Sequence, residues 1–167
     1  DNHTTTAYYS SIVRRHVGAH DQGIGVIFKQ TDLSDPNSIS VFHNFGATGA
    51  GTVDDNSIRF PGTGTGIGQE GPCSSCDNID PNAFVWAGKT GLGGLDVSDD
   101  GNTVYTVNLF DRKVYAMTTD GASTTELPNI PWLDNAICPD NIDGTESGVA
   151  RPFGIKYYKM NLYIGVV

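Results

Sequence analysis

The stretch Gly91-Leu-Gly-Gly-Leu-Asp-Val-Ser-Asp-Asp-Gly-Asn-Thr-Val-Tyr-Thr-Val-Asn-Leu-Phe-Asp-Arg-Lys-Val-Tyr-Ala-Met-Thr118 decides the fold. Two apolar runs, Leu92–Val97 and Val104–Leu109, flank the turn Ser98-Asp-Asp-Gly-Asn102, and a third run, Val114–Met117, follows the tight Asp111-Arg112. Val, Tyr, Thr and Leu favour the pleated backbone, and Asp-Gly supplies the positive φ that a hairpin turn needs. The pattern predicts a β-meander over 92–127, with Ser123–Leu127 as its fourth, outer strand. Strand periodicity puts Val104, Thr106 and Asn108 on one face and Tyr105 and Val107 on the other.

Outward from this stretch the composition is consistent with an all-β chain. The 167 residues suffice for a domain with a core, and 21 glycines and eight prolines in a chain only 17% charged point to turns rather than helices. Nineteen acidic against ten basic residues give a net charge of -9. That balance argues against nucleic acid, whose phosphates need a basic footprint, and against an anionic membrane surface. No apolar run reaches the length of a membrane-crossing helix, so no membrane insertion is expected. The chain opens Asp-Asn-His without a signal segment, which reads as a processed or truncated piece.

In chain order, Ala7–Val17, Ile24–Thr31 and Ile39–Phe45 read as three strands, with a turn at Asp35-Pro36-Asn37. Residues 46–82 form a long glycine-rich loop, and 128–151 a second one. A structureless stretch as long as 46–82 is rare in a compact domain and is usually functional or mobile. Phe153–Tyr158 and Asn161–Val167 form a last hairpin. The expected organisation is a single domain, 1–167, with blade-like units 7–45, 83–127 and 152–167.

An internal repeat underlies these units. Gly94-Leu-Asp-Val-Ser-Asp-Asp-Gly-Asn-Thr-Val-Tyr105 aligns with Gly154-Ile-Lys-Tyr-Tyr-Lys-Met-Asn-Leu-Tyr163, and Cys76-Asp-Asn-Ile-Asp80 is echoed by Cys138-Pro-Asp-Asn-Ile-Asp143. A period near 60 residues, built from four short strands and a long loop, predicts β-propeller blades, about 2.5 of them and therefore an incomplete propeller. A blade cannot bury both faces alone. The outer edge of the final apolar strand has no sheet partner in this reading unless the N-terminal strand Tyr8–Val13 closes the sheet in a ring, and unpaired buried amides cost about 1–3 kcal/mol each. Further sequence or neighbouring chains are therefore expected to complete it.

The central meander, the Asp80-Pro-Asn-Ala-Phe-Val-Trp-Ala-Gly-Lys-Thr-Gly91 before it and Arg151-Pro-Phe-Gly-Ile-Lys-Tyr-Tyr-Lys-Met-Asn-Leu-Tyr-Ile-Gly-Val-Val167 together resemble the propeller region of large secreted bacterial surface proteins. Such proteins often carry SdrD B-like or other adhesin-type repeats. The resemblance implies an extracellular or cell-surface β-propeller. It implies no established enzyme activity and transfers no catalytic residue.

Residues that could carry chemistry lie mostly on the loops. Asp77 with Asp80 and Asp140 with Asp143, near Glu146, are candidate calcium ligands, because calcium takes carboxylate and carbonyl oxygens from flexible loops. Asx-turn capping is the competing role for the same side chains. Asp96–Gly101 begins like a calcium loop, but Val107 stands where the bidentate acid would be. Cys73 and Cys76 fit a structural disulfide of a secreted, loop-rich protein, either with each other or through one of them to Cys138. His16 and His20, four residues apart, offer with Asp21 two imidazoles and a carboxylate, but Gly18 and the flanking strand argue against the helical geometry that zinc sites use at that spacing. Ala83–Thr90 mimics a phosphate loop, but Phe84, Val85 and Trp86 fill the positions where small residues must expose their amides. Nine tyrosines and tryptophans at strand spacing read chiefly as packing residues, some of them available as a sugar platform.

The reading is an extracellular propeller segment acting as a binding, adhesion or structural module, with a protein or carbohydrate ligand at its loop face. No cofactor other than possible calcium is expected. Two alternatives stand beside it. One is a calcium-dependent propeller hydrolase of the lactonase type, for which Asp96, Asn108 and Asp143 are the first residues to examine. The other is a subunit of an extracellular filament or surface layer.

Overall fold

The computed structural model describes residues 5–11, 23–46, 49–51, 87–129, 137–138 and 148–167. Among them there are eleven strands, one short 3-10 turn and no α-helix. The sheets are antiparallel and none closes into a barrel. The chain divides into two compact units, residues 1–92 and 93–167.

In the first unit, β1 (Ala7–Ser10), β2 (Val26–Gln30) and β3 (Ile39–Asn44) form the expected three-stranded meander, in the order β1-β2-β3. The first strand is shorter than the predicted Ala7–Val17, and residues 12–22 lie outside the described region. Val26 and Ile27 are fully buried. Between β2 and β3 the chain turns through a 3-10 turn, Pro36–Ser38. The Asp35 carboxylate caps it by accepting from the Asn37 amide at 2.9 Å, the role that short acidic side chains fill at helix starts. Buried Gln30 ties this loop to the sheet. Its amide donates to the carbonyls of Asp32 and Asp35, and its oxygen accepts from the Tyr9 hydroxyl.

The second unit is built on the four-stranded sheet of β4 (Leu92–Val97), β5 (Thr103–Asn108), β6 (Lys113–Thr118) and β7 (Thr124–Glu126), in sequential order. This is the meander read from the sequence. The register pairs Tyr105 with Ala116 and Val107 with Val114 on one face, and Val104 with Met117 and Thr106 with Tyr115 on the other. The face assignment for β5 follows. Polar Thr106 and Asn108 are fully buried. Both are satisfied, because an unpaired buried polar group is costly. Thr106 Oγ1 donates to the Gly94 carbonyl, and the Asn108 side chain donates to Asp111 and accepts from the Phe110 amide.

Two of the sheet's hairpins use the same turn. Ser98-Asp-Asp-Gly-Asn-Thr103 and Thr118-Thr-Asp-Gly-Ala-Ser123 share the pattern Ser/Thr-x-Asp-Gly-x-Ser/Thr. In each, the first hydroxyl donates to the Asp, which in turn accepts from the amide two residues on. The glycine takes φ of 72° in one and 78° in the other. The hydroxyl also accepts from the amide of the last turn residue, Thr103 at the start of β5 and Ser123 just before β7. The Thr119 amide joins the two turns by donating to the Asn102 carbonyl at 3.0 Å.

The predicted loop 128–151 is not wholly without structure: β8 (Ile137–Cys138) pairs with β9 (Gly148–Val149) in a two-residue ladder. A pair this short leaves no apolar alternation to read in the sequence. The terminal hairpin is β10 (Pro152–Tyr158) with β11 (Asn161–Val166), bulged between Pro152 and Gly154. It forms a two-stranded sheet, in which, among the described residues, β11 pairs with β10 alone.

The face of the four-stranded sheet that carries Val107 and Val114 packs on this hairpin. With Leu109 these residues form a buried cluster, against which Leu127, Ile155, Leu162 and Ile164 rest. Burying each such side chain contributes about 1.5–3 kcal/mol. The approach is close because β4 has no side chains at two positions. A Cβ on Gly93 would lie 2.6 Å from the Phe153 carbonyl oxygen, and one on Gly94 would lie 2.7 Å from the Ile155 amide nitrogen. A Cβ on Gly154, the repeat partner of Gly94, would meet nothing within 4 Å. The expected outcome is asymmetric. Gly94→Ala should cost about 1–3 kcal/mol in denaturant unfolding, because backbone and not a yielding side chain stands in the way, whereas Gly154→Ala should change stability by under about 0.5 kcal/mol.

Candidate functional site

Asp96 is the most engaged acidic side chain where β4 meets β10. Two residues after Gly94, it points at the same strand. The Tyr157 amide donates to Asp96 Oδ2 at 2.6 Å, and Lys156 Nζ lies 2.9 Å from the same oxygen and 3.2 Å from Oδ1. Tyr105 stacks on Tyr157 with ring centroids 5.4 Å apart and planes within 7°. Gly94, Asp96 and Tyr105 thus form one surface that grips β10. Partial burial works against ionisation of Asp96, but hydrogen bonds from Lys156 and from the Tyr157 and Val97 amides, with the Lys156 charge, outweigh it. The carboxyl is held below its ordinary value.

Asp111 organises the opposite end of β5. It accepts from the Lys113 amide, from Asn108 Nδ2 at 3.1 Å and from the Tyr115 hydroxyl at 2.6 Å. Burial, and then donation to Asp111, raise the Tyr115 phenol well above its usual range. Arg151 Nη1 donates to the Leu109 carbonyl at 2.7 Å. Burial and the neighbouring Arg112 charge lower the Arg151 pKa. Lys113 pairs with Glu126 at 2.7 Å on the exposed surface, where such a pair contributes little.

Of the residues singled out from sequence, Asp96 and Asn108 are placed about these two centres and are engaged in hydrogen bonds within the fold. Asp77, Asp80, Asp140, Asp143, Cys73, Cys76, His16, His20 and Asp21 lie outside the described residues, as do Trp86 and Trp132. Cys138 is on β8, opposite Gly148. Among the described residues no group of three or more His, Cys, Asp or Glu side chains is placed to hold a metal ion. Asp100, at the tip of the first turn, is lowered by hydrogen bonds from Ser98 and Asn102, which is turn chemistry.

The aromatic residues divide clearly. Tyr8 meets Phe42 edge-on under the Lys29 ammonium, and Tyr105, Tyr115 and Tyr157 are engaged as described. Tyr158 and Tyr163 stand out, 51% and 55% exposed. They share the outer face of the terminal hairpin with Lys156 and Asn161, while Ile155, Tyr157, Leu162 and Ile164 face inward. Lys159 Nζ sits 5.1 Å from the Tyr158 ring centroid. The hairpin is basic in an acidic protein: residues 151–167 hold three of the ten basic residues and none of the nineteen acidic ones. Sequence reading did not single out this outer face or the Asp96 clasp. The alternation of β10 and β11 carried the signal for the first. The second depends on a contact between residues 60 positions apart.

Among the described residues no helix is long and apolar enough to cross a membrane. Comparison with protein-family models, curated protein sequences and solved structures returns no match.

The Asp96 clasp has a pH signature. A carboxyl whose folded pKa is depressed contributes stability that is fully present above its unfolded pKa, about 4, and is lost as pH falls through the lower folded value. Asp96→Ala should destabilise the protein by about 1–3 kcal/mol at pH 7, since it strips the Tyr157 amide of its acceptor. The difference from the unsubstituted chain should shrink in urea titrations carried from pH 5 down through pH 3.

Proposed function

We propose that this chain is an extracellular β-propeller segment of a bacterial cell-surface protein, serving as a binding, adhesion or structural scaffold whose protein or carbohydrate ligand meets its long loops. One observation supports the reading: two copies of the internal repeat, both within residues 93–167, pack on each other, with the Gly94 surface of β4 on the backbone of β10. Stacking of successive sheet units is what blades need, because each has two faces to bury. The engagement of Asp96, Asn108 and Asp111 in holding strands together supports a scaffold role for this part of the chain.

The loops at 46–82 and 128–151 are the ligand face in this reading, with Asp77, Asp80, Asp140 and Asp143 as calcium ligands that would order them. Cys73 and Cys76, with Cys138, are the disulfide residues of an extracellular chain. The test combines binding with redox state. The purified chain, probed on arrays of glycans and extracellular matrix proteins with and without calcium chloride, should show saturable binding to one class of ligand and no lactone hydrolysis. Thiol titration of the unfolded, unreduced chain should find no more than one free group. Calcium-dependent lactone turnover would replace the scaffold reading with the hydrolase. Three free thiols would contradict the disulfide and weaken the extracellular assignment.

A further inference from the structure

Tyr105 on β5 and Tyr157 on β10 lie face to face where the four-stranded sheet meets the terminal hairpin, with ring centroids 5.4 Å apart and planes within 7°. That spacing is the range of an offset stack. The pair is held from both sides. The Tyr157 amide donates to Asp96 Oδ2 at 2.6 Å, and Tyr105 is paired with Ala116 inside its own sheet. Both residues belong to the unit 93–167, so their contact is a property of that unit alone. Each is half-buried, so packing shields the pair without sealing it from solvent. The other described tyrosines are held differently. Tyr9 donates to Gln30, Tyr8 meets Phe42 edge-on, and Tyr115 donates to Asp111. Tyr158 and Tyr163 are exposed.

We propose that Tyr105 and Tyr157 are a site of oxidative cross-linking, at which hydrogen peroxide, activated by a haem peroxidase, joins the two rings as dityrosine and ties β5 covalently to β10. In this chemistry each phenol gives up one electron and one proton. The phenoxyl radical that results carries part of its unpaired electron on the ring carbons ortho to the oxygen. A carbon–carbon bond forms between one ortho carbon of each ring. The hydrogens on those two carbons then move to the oxygens, which restores both phenols. The pair has lost two hydrogens in all, and one peroxide takes up the two electrons and two protons and leaves as two waters.

Coupling in solution waits for two radicals to meet. Here the fold holds the partners in contact, which makes the joining step unimolecular. Each ring turns about χ2, a soft torsion, and so brings its ortho carbon toward the other. A cross-link between strands distant in sequence restricts the unfolded chain, as a disulfide does, and should stabilise the unit. This inference rests on the contact between these two strands and not on the scaffold reading.

The test is treatment of the dilute full chain with hydrogen peroxide and horseradish peroxidase, followed by mass spectrometry of the tryptic peptides from the monomer band. The expected product joins the Tyr105 and Tyr157 peptides with the loss of two hydrogens, and the treated monomer should show dityrosine fluorescence and a higher urea midpoint. Tyr157→Phe and Tyr105→Phe should each abolish that product. The double variant Tyr158→Phe with Tyr163→Phe should keep it, and the chain unfolded in urea before treatment should lack it. Dityrosine found only between chains overturns the proposal. So does an intrachain product of undiminished yield in Tyr157→Phe, or a monomer free of dityrosine under conditions that couple free tyrosine.

Discussion

The second unit depends on the close approach of two backbones at Gly93 and Gly94. Sheets that pack through side chains stand about 10 Å apart. Here the side-chain-free pair lets β10 settle onto β4, and that proximity brings the Tyr157 amide within reach of Asp96 and the Tyr157 ring onto Tyr105. The apolar cluster of Val107, Leu109 and Val114 is then sealed by Ile155, Leu162 and Ile164. Glycine weakens a strand through its conformational freedom, by about 0.5–1 kcal/mol relative to alanine. That loss is offset by several contacts that no larger residue would permit.

The polar residues at this junction fix geometry more than they add net stability. Hydrophobic burial would hold two sheets together in many registers, since it is non-directional. Asp96 selects one register, because a carboxylate that accepts from a single backbone amide and pairs with a neighbouring lysine cannot slide by one residue without losing both. Asp111 does the same within the sheet by locking the β5–β6 turn to Asn108 and Tyr115. The repeated Ser/Thr-x-Asp-Gly-x-Ser/Thr turns close the other end in the same manner.

Much of the local structure was legible in the sequence, and the reason is period. Alternating apolar residues bounded by Asp-Gly or Asp-Arg turns gave the three strands of the central meander, the terminal hairpin and the inward and outward faces of β5. The short β8–β9 ladder was not legible, because two residues define no alternation. Gln30 as the anchor of the 31–38 loop was not legible either, since its three hydrogen bonds depend on tertiary position and not on spacing. The candidate site was legible only in its parts. Gly94 and Gly154 were matched by the repeat, yet nothing in the alignment indicates that one is covered and the other open. The loop carboxylates and cysteines that drew attention first lie outside the described residues.

The central claim is that β4 lies directly on β10, glycine against backbone. Proton NMR of the isotopically labelled chain tests it most directly. The account predicts strong nuclear Overhauser effects from the Gly94 α-protons to the Ile155 amide proton, accompanied by cross-peaks between the Tyr105 and Tyr157 rings. Assigned spectra that lack both, with the intra-sheet cross-peaks of β5 and β6 intact, would contradict it.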